Sequence, residues 1–234
     1  MLKIEHTEVV GWEHAIRGMR NPMNSWGKSD SFIPCYYKTK CHECEDNQKC
    51  AYYFEDGLPY KKDDFIGPND LDLMTRLRNA GTDHRKFMRM ITVYFDITAP
   101  LYFWKEFDTY KVGTVANSCS TMHKIAAKEF TLEDFSCEHL ENSWLAHLKE
   151  TIRLLNDARD AYNWCNTDAK KEWWWQMIQL LPSSYNQKRT VMLNYEVLAN
   201  IYKSRRNHKL DEWHTFCDWV ESLPYSELIT GKGD

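Results

Sequence analysis

A chain of 234 residues is long enough for one large domain, or one domain with an insertion, and at 43% hydrophobic and 27% charged residues it is expected to bury a core without covalent staples. Its net charge of −4 argues against broad nonspecific nucleic-acid binding but permits a small anion held by local Lys and Arg. No apolar run approaches a membrane span and no signal-peptide pattern opens the chain, so the protein is expected in the cytoplasm, where its 8 cysteines point to metal ligands or buried thiols before disulfides.

In chain order, residues 1–10 read as a strand on Ile4, Val9 and Val10, and 12–19 as a short helix. Asn, Ser, Gly and Pro over 21–30 mark a loop. The texture then changes, which divides the chain into 1–31, a Cys-rich insertion at 32–65, and a main part at 66–234. Gly67-Pro68-Asn69-Asp70 leads into a helix with Asn69 or Asp70 as N-cap, apolar residues at Leu71, Met74 and Leu77, and Gly81 at its close. A basic helix over 84–90, a strand over 91–98 and a helix over 99–107, with Pro100 in its first turn, follow. Residues 110–117 read as loop or short strand. Helical spacing returns over 143–160, 168–181, 187–206 and 211–223, with Pro182 and Pro224 stopping two of these. The fold class is α+β, helix-dominated with a small central sheet. The aromatic load of 10 Trp, 13 Tyr and 10 Phe is mostly core, with some available to line a site for a flat ring.

Three groups of residues carry chemistry. Cys35, Cys41, Cys44 and Cys50 place a Cys-x2-Cys pair between two outer cysteines at equal spacing, a thiolate set suited to zinc, with an iron–sulfur cluster as the alternative and His42 able to replace one ligand. Metal would supply folding energy to a segment poor in core residues; a redox role for the thiols is a third, weaker reading. The second group is the segment 100–123. Lys105 and Asp108 share a helical face, and a dense run of donors and acceptors follows: Thr109, Tyr110, Lys111, Thr114, Asn117, Ser118, Ser120 and His123. Gly113 permits close backbone approach. Lys111 suits a phosphate, and Asn117 and Ser120 a base or sugar; a polar loop before a helix capped by Asn117 or Ser118 is the plainer alternative. The third group is Leu181-Pro182, then Asn194, Leu198 and Arg205 on the core side of one helix.

Together the last two groups resemble the flavin-dependent thymidylate synthases, the ThyX family. After Pro100, Lys105-Glu106 and Thr109-Tyr110-Lys111 stand at the distances of that family's Arg-Gln and Arg-His-Arg, and Asn117 and Ser120 keep its Asn-x-x-Ser core. Leu181-Pro182, Asn194, Leu198 and Arg205 repeat its downstream spacing, and His84 stands at its upstream histidine. The resemblance covers about residues 70–224. It implies a homotetramer with flavin and nucleotide sites at subunit interfaces, in which reduced FAD, methylenetetrahydrofolate and NADPH serve one-carbon transfer to C5 of a pyrimidine deoxynucleotide such as dUMP. It assigns Ser120 and Arg205 to catalysis beside the base. His84, Thr109, Tyr110, Lys111 and Asn194 fall to the cofactor, and Lys105, Glu106, Asn117, Ser120 and Arg205 to the substrate. The chain departs from the pattern where Thr109-Tyr110-Lys111 leaves one positive charge, where Met122 replaces a phosphate-binding Arg, and where Glu196 inverts the charge of another. A nucleotide-binding or assembly protein that keeps the fold and has lost the chemistry is the alternative.

Overall fold

The computed structural model describes residues 2–31, the backbone of 52–55 and 58–61, and residues 66–231. Its centre is a four-stranded antiparallel sheet in the order β1 (Lys3–Val10), β4 (Thr92–Pro100), β6 (Asn186–Asn194), β5 (Val115–Ser118). A separate hairpin of β2 (Tyr52–Glu55) and β3 (Leu58–Lys61) belongs to the Cys-rich segment. Cys35, Cys41, Cys44 and Cys50 lie outside the described residues.

Strand alternation decides which sheet face is buried. On β4, Val93, Phe95, Ile97 and Ala99 point inward and are almost wholly buried, while Tyr94 and Asp96 face away. Val191 and Leu193 continue that inner face on β6. Against it pack α1 (Trp12–Arg20), α2 (Pro68–Asn79), α3 (Leu101–Phe107), α6 (Tyr195–Arg205), α7 (Asp211–Glu221) and α8 (Glu227–Thr230), forming one core. Its densest part is aromatic: Phe103, Phe107, Trp213 and Phe216 lie in mutual ring contact at centroid distances of 4.5–6.4 Å. A second, smaller core joins α4 (Asn142–Trp164) to α5 (Ala169–Leu180) and closes on Phe130 and Phe135. Among the described residues no helix is long and apolar enough to cross a membrane.

The strands and helices follow the sequence expectation with five corrections. Residues 187–206 form no single helix. Val191 and Leu193 alternate inward as strand β6, and the chain turns at Asn194, whose side chain accepts the Val197 N–H at 3.0 Å and opens α6. Neither Asn69 nor Asp70 is the N-cap of α2, which starts at Pro68 after Gly67. The capping carboxylate comes from a distant residue: Asp30 accepts the N–H groups of Asn69 and Asp70 at 3.0 and 3.1 Å. A Cβ on Gly67 would fall 2.2 Å from the Asp30 carboxyl, so that close approach requires glycine. Pro100 ends β4 and caps α3 from outside its first turn. Asn117 and Ser118 cap no helix; they pair in β5, and the basic stretch after His84 is a 3₁₀ turn at Arg85–Arg89.

Candidate functional site

The end of α3 supplies the organising group. Glu106 accepts from Arg205 Nη1 at 2.9 Å and from the Trp213 indole at 2.8 Å, and lies 3.3 Å from His208 Nε2. Arg205 Nε donates to the Tyr110 hydroxyl at 2.9 Å, and its guanidinium lies 5.0 Å from the Trp213 ring centroid. Two of its donors are thus fixed, and Nη2 makes no hydrogen bond among the described residues. An arginine whose charge is balanced by a carboxylate, with its Nη2 group left over, is suited to a neutral carbonyl acceptor more than to a second anion. Glu106 therefore serves to hold Arg205.

The loop after α3 runs back along β6. Asp108 pairs with Arg189 at 2.7 Å, and the Arg189 guanidinium covers the Trp104 ring at 4.0 Å. The expected partnership of Asp108 with Lys105 is absent, because Asp108 turns to the sheet while Lys105 is exposed on α3. The Thr109 hydroxyl donates to the Glu106 carbonyl at 2.7 Å. Gly113 sits at φ +80°, where an added Cβ would meet Asn194 Nδ2 at 3.0 Å and Val197 Cγ2 at 3.2 Å. Gly113→Ala is therefore expected to cost about 1–3 kcal/mol, combining left-handed backbone strain with overpacking. Chemical denaturation at unchanged m-value would measure it.

The start of α6 gathers a second set of groups. Arg85 binds Glu196 through contacts of 2.8 and 3.0 Å, which answers the inverted charge of Glu196 within the chain and brings the neighbouring His84 to this end. The turn that begins beside His84 and the loop that carries Lys111 and Gly113 both reach the start of α6, through Arg85 on Glu196 and Gly113 on Asn194. Lys111 is exposed and has no ion pair among the described residues, and the Thr114 Oγ1 atom is buried without a hydrogen-bond partner.

Ser120 lies elsewhere. Asn117 and Ser118 pair with Thr190 and Arg189, and the Cys119 N–H donates to the Lys188 carbonyl. The five residue steps along β6 from Arg189 to Asn194 span about 17 Å, so one protomer does not bring Ser120 and Asn194 into one pocket. The Ser120 hydroxyl accepts from the N–H groups of Met122 and His123 at 3.2 and 2.9 Å, pinning an exposed turn. Trp213, His208, Arg189 and Arg85 are the site-building residues that spacing did not reveal. Trp213 and His208 follow Arg205 closely, so an aromatic and a histidine just after a candidate arginine were the available signal. Among the described residues, no group of three or more His, Cys, Asp or Glu side chains is placed to hold a metal ion.

No protein-family model matches the sequence, and no curated relative matches it in sequence. Solved structures do match. The flavin-dependent thymidylate synthase ThyX from Helicobacter pylori, complexed with FAD and dUMP, aligns over 98% of both chains with a TM-score of 0.60 at 14% identity. The chain has the ThyX fold. The UMP/dUMP methylase PolB from Streptomyces cacaoi, bound with 5-bromo-dUMP, aligns over 99% of this chain and 95% of its own, with a TM-score of 0.54 at 11% identity. The expected helix-rich α+β class with a small sheet is thereby established for this chain.

On the ThyX fold, the residues assigned to flavin by resemblance divide in two. Tyr110 and Asn194 have committed polar groups to Arg205 and to the α6 cap, and Thr109 to the turn. Lys111 and His84 are exposed, and the Thr114 hydroxyl is unpaired. Lys111 and His84 are open to contact with an anionic cofactor and the buried Thr114 hydroxyl is not, so these residues do not enclose a flavin within one protomer.

Proposed function

We propose that the protein binds a pyrimidine deoxynucleotide and transfers a one-carbon unit to its C5 position, in the manner of the flavin-dependent thymidylate synthases. The observation that carries this reading is Arg205, fixed by Glu106 and Tyr110 with Nη2 free, on a fold shared end to end with enzymes complexed with dUMP or its 5-bromo analogue. Arg205 would hold a pyrimidine carbonyl through Nη2. Ser120 would stand beside the base from a second copy of the chain, since one protomer separates the Ser120 and Asn194 ends of β6. The proposed assembly is accordingly the homotetramer that the resemblance implies, in the cytoplasm. Reduced FAD would supply the hydride, with NADPH and methylenetetrahydrofolate as cosubstrates; Lys111 and His84 are the side chains offered to its phosphates. Cys35, Cys41, Cys44 and Cys50 are proposed as a structural zinc site in a small subdomain over 32–65.

An absorbance spectrum and elemental analysis of the native protein test these assignments together. Flavin bands support the enzyme, and zinc without iron supports the structural metal. One observation favours a second reading, a nucleotide-binding protein without flavin: Arg85, Arg189 and Arg205 are each balanced by a carboxylate of the same chain. Colourless protein that takes up no added FAD yet binds dUMP would establish that reading instead.

A further inference from the structure

Beside the Ser120 turn lies an open cleft of about 870 Å³, a size that admits a nucleotide-sized ligand. One wall is Met122 and His123; the other is Tyr162 near the end of α4 with Lys170, Lys171 and Trp174 of α5. The walls are tied together by a hydrogen bond of 2.8 Å from the Trp174 indole to the Met122 carbonyl. Lys170 is held against the wall, its ammonium 4.6 Å from the Tyr162 ring centroid. Neither Lys170 nor Lys171 has an ion pair among the described residues, and Asp168 is the one carboxylate lining the cleft. The N–H groups of Lys170 and Lys171 already donate to the Thr167 and Asp168 carbonyls, so the free donors here are side chains.

We infer that this cleft is an anion site, with Lys170 and Lys171 binding the phosphate of the nucleotide that the Ser120 turn faces. The inference rests on the proposed function and deepens it. Met122 offers no charge to a phosphate, yet it lines the same cleft as two lysines that have no ion pair among the described residues. A charge missing from the strand segment is thus available from α5, a neighbour in space and 48 residues away in sequence from Met122 to Lys170. The three arginines of the candidate site support the assignment. Arg85, Arg189 and Arg205 are all engaged by carboxylates, which leaves them poor phosphate ligands.

The test is titration of the full-length protein with dUMP, deoxyuridine and inorganic pyrophosphate, followed by calorimetry. The wild type is compared with K170A/K171A and with the charge-preserving K170R/K171R, and circular dichroism verifies folding. The expected result is that dUMP binds more tightly than deoxyuridine, that K170A/K171A weakens dUMP about 10- to 100-fold with deoxyuridine unchanged, and that K170R/K171R keeps the preference. If both the wild type and K170A/K171A prefer dUMP equally, the cleft is not the phosphate site, although the nucleotide reading stands. If dUMP fails to bind the wild type while pyrophosphate binds it and not K170A/K171A, the anion site stands and the pyrimidine reading falls. Binding of neither probe overturns both. Should K170A/K171A misfold, K171E at the exposed position replaces it, with loss of dUMP preference again expected and its retention overturning the inference.

Discussion

Asp70→Ala is expected to remove about 3–5 kcal/mol of stability, the cost of leaving a buried charge without its partner. Asp70 is fully buried and Arg20 nearly so, and the two meet at 2.6 Å. The other carboxylate oxygen accepts from the Ser29 and Ser31 hydroxyls and from the N–H groups of Asp30 and Ser31. One carboxylate thus fastens the 29–31 loop to α1 and α2, and that loop carries the Asp30 cap of α2. Losing Asp70 strands the Arg20 guanidinium and loosens the cap at once. Thermal unfolding of the variant should shift down by about 10 °C for a chain of this size. Burial disfavours the Asp70 charge, but the hydrogen bonds from Ser29, Ser31 and Arg20 outweigh it and hold the carboxyl below the ordinary aspartate range. A group whose folded pKa is depressed contributes stability above its unfolded pKa, near 3.9, and loses it as pH falls through the folded value. Wild-type stability should therefore lose this contribution only below about pH 4, and Asp70→Asn should lack that acid-limb component.

Arg205→Ala is the functional counterpart. On the proposed reading it removes the N–H offered to the pyrimidine and should weaken dUMP binding about 10- to 100-fold, the range for a hydrogen bond from a charged donor. Arg205→Lys is not expected to rescue, because an ammonium cannot satisfy Glu106 and Tyr110 in the plane of a fork while keeping a third donor free. Glu106→Gln separates holding from contact. It keeps the shape but weakens the grip on Arg205, so affinity should fall less than in Arg205→Ala. Calorimetric titration with dUMP measures all three. Equal affinity of wild type and Arg205→Ala would remove Arg205 from the site.

Local pattern and order along the chain were readable in the sequence; partnerships across the fold were not. The inward alternation of Val93, Phe95 and Ile97 announces β4, and the aromatic spacing of α7 announces a core helix. The strand β6 is harder. Asn194, Leu198 and Arg205 satisfy a helical period, and the weaker period-two signal of Val191 and Leu193 is hidden beside it. Asp70 looks like an N-cap because its neighbours do, whereas its role depends on Arg20, fifty residues away, and the cap itself comes from Asp30. At the site, spacing singled out Glu106, Arg205, Asn194 and Ser120. It did not reveal that Glu106 acts on Arg205, that Arg85 answers Glu196, or that Ser120 and Asn194 stand at different ends of β6. The first two are side-chain meetings of α6 with distant segments, and the third follows from the antiparallel register of β5 on β6; residue types alone encode neither.

The most direct test of the central claim is release of tritium from C5 of labelled dUMP by the full-length protein, supplied with FAD, NADPH and methylenetetrahydrofolate, since alkylation at C5 must expel the hydrogen there. The account predicts release that depends on methylenetetrahydrofolate and is strongly reduced in Arg205→Ala at subsaturating dUMP. Folded wild-type protein that binds dUMP but releases no tritium from labelled dUMP or dCMP would contradict one-carbon transfer and leave a nucleotide-binding protein on the ThyX fold.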